Sequence, residues 1–158
     1  MNTRYENYLR SLTPAKRLVA KEAVAEFLKS EAEPMKKLTS AMSVYNLCKD
    51  LAAEEEEHAV IVLAKQNYRL IKRIEVGNGG LTDTLFDVRV IIREAIMNNA
   101  TVVFMVHNHP SGDIKPSRQD DNITKSINEA LITVKLHLAD HIIIGKSTYY
   151  SYHENGRL

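Results

Sequence analysis

The stretch His107-Asn108-His109-Pro110-Ser111-Gly112-Asp113-Ile114-Lys115-Pro116-Ser117-Arg118-Gln119-Asp120 decides how the rest of the chain is interpreted. It follows a short apolar run at residues 101–106, rich in β-branched side chains, which predicts a buried strand. Successive side chains on a strand point to opposite faces, so His107 and His109 are expected on the same side. Pro110 should end the strand, because it cannot donate to the ladder and a loop-type sequence follows it.

A helix start comes next, because Ser117 with Asp120 three residues later is the pattern of a capped N-terminus. Two imidazoles and one carboxylate thus meet across one short connection. His107, His109 and Asp120 would hold Zn²⁺ and leave one coordination position for water, as in a catalytic zinc site. The alternative is a pair of polar strand-end histidines beside an ordinary helix cap. Their occurrence on one connection favours the metal site.

The order His-x-His-Pro, six residues, then Ser-x-x-Asp resembles the metal-binding motif of the JAB/MPN (JAMM) metalloprotease superfamily. With Thr124 and Asp140-His141-Ile142, the sequence is similar to the RadC-like branch of that superfamily over about residues 38–158. The resemblance implies zinc as cofactor and hydrolysis of an amide or peptide bond in a peptide or protein substrate. It also implies that Ser117 donates a hydrogen bond to the oxyanion of the tetrahedral intermediate, with a plain N-cap as the alternative.

A run of four glutamates precedes the strand predicted at residues 59–64, and such a run is usually a solvated helix end. The RadC-like pattern places its catalytic glutamate at this strand's start, which implies Glu57 as the general base. Family members often carry an aromatic residue two positions later, where this chain has Ala59. Glu56 is therefore kept as the alternative.

Asp140-His141 lies on a later predicted strand. His141 could be a fourth ligand, but that would close the coordination sphere and make the site structural. Because the superfamily uses two His, one Asp and a water, we expect Asp140 and His141 to support the site indirectly or to be structural. Asn108 should point to the opposite face from the histidines and leave the ligation unchanged.

The order of elements predicts an α/β domain, a mixed β-sheet with helices on both sides, over residues 38–158. Residues 1–37 form an N-terminal extension, with a helix that begins at Pro14 after Thr13 and runs to about residue 30. This helix is expected to pack on the domain or on a second copy of the protein. In the second case the protein would be a homodimer.

Composition limits the function further. The chain has 158 residues, 44% of them hydrophobic, and a net charge of +1, so no overall field favours nucleic acid. Its single cysteine, Cys48, excludes an intramolecular disulfide and suits a reducing cytoplasm. No apolar run reaches membrane-spanning length. These features predict a cytoplasmic protein. Together with the metal motif, the resemblance implies that it is a zinc hydrolase. The alternative is a DNA-repair-associated binding module with a structural or vestigial metal, which would need a continuous positive surface.

Overall fold

The computed structural model describes residues 8, 10–32, 36–78 and 85–158, and for residues 25–32 the backbone alone. The chain divides into two compact units, residues 1–35 and 36–158. The first unit contains helix α1, Pro14–Ala32. Its first turn is closed by the Arg17 N–H, which donates to the carbonyl of Thr13, where the sequence predicted the helix start.

The second unit is a layered α/β domain. In chain order its elements are α2 Ala41–Cys48, a 3₁₀ helix Lys49–Ala53, β1 His58–Ala64, β2 Leu70–Asn78, α3 Val88–Met97, β3 Val102–Asn108, α4 Arg118–Thr133, β4 His137–Ile144 and β5 Tyr149–Ser151. Side chains cap the three helices at Ser40, Asp87 and Ser117, and so satisfy amide groups that a helix start leaves without partners.

The described strands form one five-stranded sheet in the order β2-β1-β3-β4-β5. β3 and β4 run parallel, whereas the other neighbouring pairs run antiparallel. Helix α4 makes the crossover that two parallel strands require. The predicted α/β class, with a mixed sheet flanked by helices, is confirmed.

Apolar layers cover both faces of the sheet. One face packs on α2 and the 3₁₀ helix, in a cluster that includes Val44, Cys48 and Phe104. The other face packs on α3 and α4, in a cluster that includes Ile91 and Ile127. Because β3 lies in the centre, all seven of its residues are buried, which explains its uninterrupted apolar sequence.

Strand β3 ends two residues later than the apolar run predicted, at Asn108 instead of residue 106. It continues to Asn108 because His107 pairs with Ala59 on one side, while Asn108 pairs with Ile144 on the other. Neighbouring strands therefore fix the backbone of the two residues that open the histidine motif. Among the described residues, no helix has both the length and the apolar character needed to cross a bilayer.

Candidate metal centre

The two histidines lie at the end of β3, on the face that packs against α4. His107 is fully buried, and His109 follows immediately after the strand. The His109 backbone N–H donates to the carbonyl of Ile144 at 2.9 Å, so the chain still follows β4 at this point. The His109 ring donates from Nδ1 to the carbonyl of Asp113 at 2.7 Å. This bond leaves Nε2 of His109 free to act as a ligand.

Asp120 comes from the first turn of α4, and the helix cap fixes its position. Its Oδ2 accepts the Ser117 N–H at 2.7 Å, and its own N–H donates to Ser117 Oγ at 3.1 Å. The two residues thus form the reciprocal capping box that the sequence indicated. The cap also orients the carboxylate, so the capping and metal-site interpretations of Ser117 and Asp120 do not exclude each other.

These three side chains converge on one point. Nε2 of His107 lies 3.1 Å from Nε2 of His109 and 3.2 Å from Oδ1 of Asp120. Nε2 of His109 lies 3.6 Å from Oδ2 of Asp120. One ligand atom from each residue falls within 4.8 Å of the others. Lone pairs this close repel one another unless a cation, a proton or a metal ion, lies between them. The group can therefore hold a metal ion.

The electrostatics of the site agree with that geometry. Burial disfavours ionisation of Asp120, but the close ring nitrogens of His107 and His109 and the hydrogen bond from Ser117 outweigh burial and hold the pKa of this carboxyl far below its usual value. The hydrogen bond to Asp120 raises the pKa of His109, and the charge of Glu57 acts in the same direction. The site is an electron-rich pocket that attracts positive charge.

The path of the loop between His109 and Ser117 depends on two glycines, one within the loop and one in the turn after β4. Gly112 has a φ of +84°, in the region that only glycine adopts without strain. A Cβ on Gly145 would lie 2.7 Å from the carbonyl oxygen of Gly112 and 2.7 Å from Cγ2 of Ile114. The loop therefore rests directly on the turn that follows β4, and a side chain at position 145 would displace it.

His141 lies behind His107 and outside the group of donor atoms. Its Nε2 is 2.9 Å from Nδ1 of His107, the ring nitrogen that points away from His109 and Asp120. On its other side, Nδ1 of His141 is 2.6 Å from Oγ1 of Thr124. Burial lowers the pKa of His141 well below its usual value, so its ring is neutral. His141 thus contacts a donor residue but is not itself placed as a fourth ligand.

Two aromatic rings hold His141 in place. The Tyr152 ring stacks on it, with centroids 5.0 Å apart and planes 12° apart. Phe86 meets the rings of His141 and His107 edge-on, at 5.5 and 6.0 Å. The sequence pattern does not connect Tyr152 or Phe86 to the site. Their positions depend on tertiary contacts that no local pattern reports.

Glu57 precedes β1 and is half-buried, whereas Glu56 is exposed. Residues 57 and 59 share a face by alternation, and Ala59 pairs with His107, so Glu57 lies on the histidine side. The contribution of its charge to the pKa of His109 agrees with that placement.

Asn108 clamps the backbone on both sides of Glu57. Its Oδ1 accepts the His58 N–H at 2.7 Å, and its Nδ2 donates to the Glu56 carbonyl at 2.9 Å. The side chain is buried on the face opposite His107, as the alternation predicted. The alternation of side chains predicts only that Asn108 leaves the ligation unchanged, and the bracing role was not predicted. One feature of the sequence could have indicated this role. Asn108 carries an amide that can both donate and accept, and it lies on a strand that pairs with the strand following the glutamates.

Asp140, the neighbour of His141, points the other way. Its Oδ2 accepts from Ser151 Oγ at 2.5 Å, and its Oδ1 accepts the His153 N–H at 3.0 Å. Burial raises the pKa of this carboxyl despite those bonds. Asp140 ties β4 to the turn after β5 and does not reach the metal-donor group.

Comparison with known proteins places this geometry in a family. The profile described as RadC-like JAB domain matches residues 38–157, which include every residue of the site. A UPF0758 protein of Flavobacterium johnsoniae is 34% identical over 124 residues, covering 77% of this chain and 54% of the relative. A UPF0758 protein of Streptococcus gordonii is 37% identical over 117 residues, covering 74% and 52%.

A third relative, a UPF0758 protein of Clostridium acetobutylicum, is 37% identical over 123 residues, covering 77% of this chain and 54% of the relative. The chain spans about half the length of the curated relatives it matches. The profile match covers most of the chain, and it agrees with the motif and with the mixed sheet on which the motif lies. The chain therefore belongs to the RadC-like JAB domain family.

Proposed function

We propose that this domain is a zinc-dependent hydrolase that cleaves an amide or peptide bond. The observation that carries the proposal is the convergence of His107, His109 and Asp120 at a strand end, with Glu57 on the same face. The JAB/MPN superfamily, to which the domain's family belongs, is often hydrolytic. The names of the relatives state no reaction, so the substrate class rests on the chemistry of the site and on that superfamily.

The donor set suits zinc. Two imidazole nitrogens and one carboxylate oxygen are the ligands of many catalytic zinc sites, whereas Mg²⁺ and Ca²⁺ prefer oxygen ligands alone. Three protein ligands leave a coordination position open to water or substrate. His141 would not fill that position, because its Nε2 contacts Nδ1 of His107, on the side of that ring away from the other two ligands.

Each residue would have a separate task in the reaction. Bound zinc would supply a water of lowered pKa as the nucleophile at neutral pH. Glu57 would accept the proton of that water and return it to the leaving amine. Ser117 Oγ accepts the Asp120 N–H, which leaves the Ser117 hydroxyl proton available for the oxyanion of a tetrahedral intermediate. Asn108 would hold Glu57 in place through the backbone.

The metal is tested by elemental analysis of the purified chain, with His109→Ala and His137→Ala compared with wild type. His137 is an exposed histidine at the start of β4, so it is a matched control. We expect near-stoichiometric zinc in wild type and in His137→Ala, and its loss in His109→Ala. A wild-type protein that binds no zinc when supplied with it would overturn the proposal.

The hydrolase activity is tested with a pool of peptides, whose cleavage is followed by mass spectrometry. Glu57→Gln should reduce cleavage by about 10²- to 10⁴-fold while keeping its zinc, because a general base contributes about that much. Glu55→Gln, at an exposed position of the same run, is the control. Zinc binding without any cleavage that depends on Glu57 would favour the alternative, a binding module with a structural metal.

A further inference from the structure

A chain of hydrogen bonds runs through the protein behind the metal donors. It begins at Nδ1 of His107, passes through the ring of His141 and reaches Oγ1 of Thr124. The Thr124 hydroxyl then bonds to the backbone carbonyl of Asp120 at 2.5 Å. The chain thus leaves the donor group through one ligand and returns to the backbone of another. His107, Thr124 and His141 are all buried.

The direction of every bond follows from the last acceptor. A carbonyl oxygen can only accept, so the single proton of the Thr124 hydroxyl points to Asp120. Oγ1 of Thr124 must then accept from Nδ1–H of His141. A neutral imidazole carries one proton, so Nε2 of His141 is an acceptor and receives Nδ1–H of His107. Neutral His107 then has no proton on Nε2, the nitrogen that faces His109 and Asp120.

We propose that His141 and Thr124 are positioning residues that fix the tautomer of His107, so that its Nε2 lone pair is directed at the metal. This inference rests on the proposed function, since it assigns a task toward the metal of that site. The opposite tautomer would place a hydrogen on Nε2 among the donors and leave a buried Nδ1 lone pair facing His141. Metal-binding histidines in general need such a partner for the second ring nitrogen.

The rings around His141 make the partner rigid. Tyr152 stacks on it, and the Tyr152 hydroxyl is anchored by donation to Oδ1 of Asp121 at 2.8 Å. Arg157 bonds to Oδ2 of the same carboxylate and lies over the Tyr152 ring. The C-terminal segment therefore holds His141 from outside, and His141 holds His107.

The experiment compares zinc dissociation constants, measured by competition with a fluorescent chelator. His141→Phe keeps an aromatic ring against Tyr152 but removes the acceptor for His107. We expect zinc to bind about 10- to 100-fold more weakly, the usual cost of losing such a partner. His141→Gln restores an acceptor and should recover most of the affinity. His137→Phe, at an exposed position of the same strand, should bind zinc like wild type.

A second pair of variants tests Thr124, at the far end of this series of hydrogen bonds. Thr124→Val keeps the shape and removes the hydroxyl, so we expect weaker zinc binding. Thr124→Ser keeps the hydroxyl and should bind like wild type. If His141→Phe does not fold, as judged by circular dichroism, the inference is tested by the two Thr124 variants and by the nuclear magnetic resonance spectrum described next. Equal zinc affinity in wild type, His141→Phe and Thr124→Val would overturn the inference.

A spectrum provides a readout that loss of packing alone would not move. Long-range ¹H–¹⁵N correlation of the wild-type protein should show the proton of His141 on Nδ1 and none on Nε2. A proton on Nε2 of His141 would overturn the inference, whatever the zinc affinities are. Failure of the proposed function has a different signature, namely a wild-type chain that binds no zinc. In that case the spectrum of the metal-free protein still decides the tautomer.

Discussion

Four buried polar residues lie on the two central parallel strands β3 and β4, two on each face of the sheet. His107 and His141 face α4, whereas their chain neighbours Asn108 and Asp140 face the α2 side. All four side chains are almost completely buried. The difference lies in their partners. Asn108 and Asp140 bond to backbone groups and to the Ser151 hydroxyl, so each of their polar side-chain atoms has a partner.

On the α4 face, one ring nitrogen of His107 has a hydrogen-bond partner within the protein and the other faces the remaining metal-donor atoms. Nδ1 of His107 is satisfied through His141, but Nε2 points at other lone pairs. Burial of a polar residue is therefore a poor guide to function by itself. What distinguishes the site is a buried set of acceptors arranged around a common point. The same strands thus supply structural bracing on one face and potential metal ligands on the other, and variants should separate the two roles.

The largest effect on stability is expected at Asp140. Asp140→Ala leaves the Ser151 hydroxyl and the His153 N–H without their partner, which should lower the free energy of unfolding by about 3 kcal/mol. Because Asp140 faces away from His107, zinc affinity should change by no more than about twofold. Chemical denaturation and chelator competition measure the two quantities. A large loss of zinc affinity in the folded variant would show that the two faces are coupled. Ser151→Ala, which removes one of the two bonds, should have a smaller effect.

Gly145→Ala should affect both properties. The new methyl group would meet the Gly112 carbonyl and the Ile114 side chain, and overpacking of this kind costs about 1–3 kcal/mol. Because the loop carries His109 at its start, displacement of the loop should also weaken zinc binding. Ser147→Ala, at an exposed position of the same turn, is the control. Unchanged stability and affinity would mean that the loop does not depend on this contact.

Asn108→Ala should be milder, since the two backbone groups it releases lie near the surface. We expect a loss of about 1–2 kcal/mol in the free energy of unfolding, with zinc binding retained. Peptide cleavage should fall more than zinc affinity, because the clamp holds Glu57 and not the donors. Asn122→Ala, on the exposed side of α4, should leave both unchanged. Equal losses of zinc and cleavage would contradict the separation of the two faces.

The smallest effect is a pH dependence. Burial raises the pKa of Asp140, so its carboxyl group binds a proton more tightly in the folded protein than in the unfolded chain. The resulting stability is complete below the unfolded pKa of about 3.9 and is lost as the pH rises through the folded value. The stability of wild type relative to Asp140→Asn should therefore decrease as pH rises through that window. A difference that does not vary with pH would show that Asp140 does not carry the titration.

The sequence predicted what depends on local order. The β-branched run gave β3, the alternation placed His107 and His109 on one side, and Ser117 marked the start of α4. These features lie within a few turns of chain, where periodicity and capping operate. The site's supporting residues could not be predicted equally well. His141 is 34 residues from His107, and Asn108 reaches 50 and 52 residues back to its partners. Such contacts follow from strand order, which no local pattern encodes.

The burial of Cys48 gives the protein a built-in reporter. This residue is the only cysteine of the chain, and it is completely buried in the layer that covers the sheet opposite the metal donors. Burial raises the pKa of its thiol to about 11, so the folded protein holds little reactive thiolate at neutral pH. The rate at which a thiol reagent labels Cys48 therefore measures how often the α2 layer opens. Labelling with and without zinc would reveal whether the metal restrains fluctuations on the far side of the sheet.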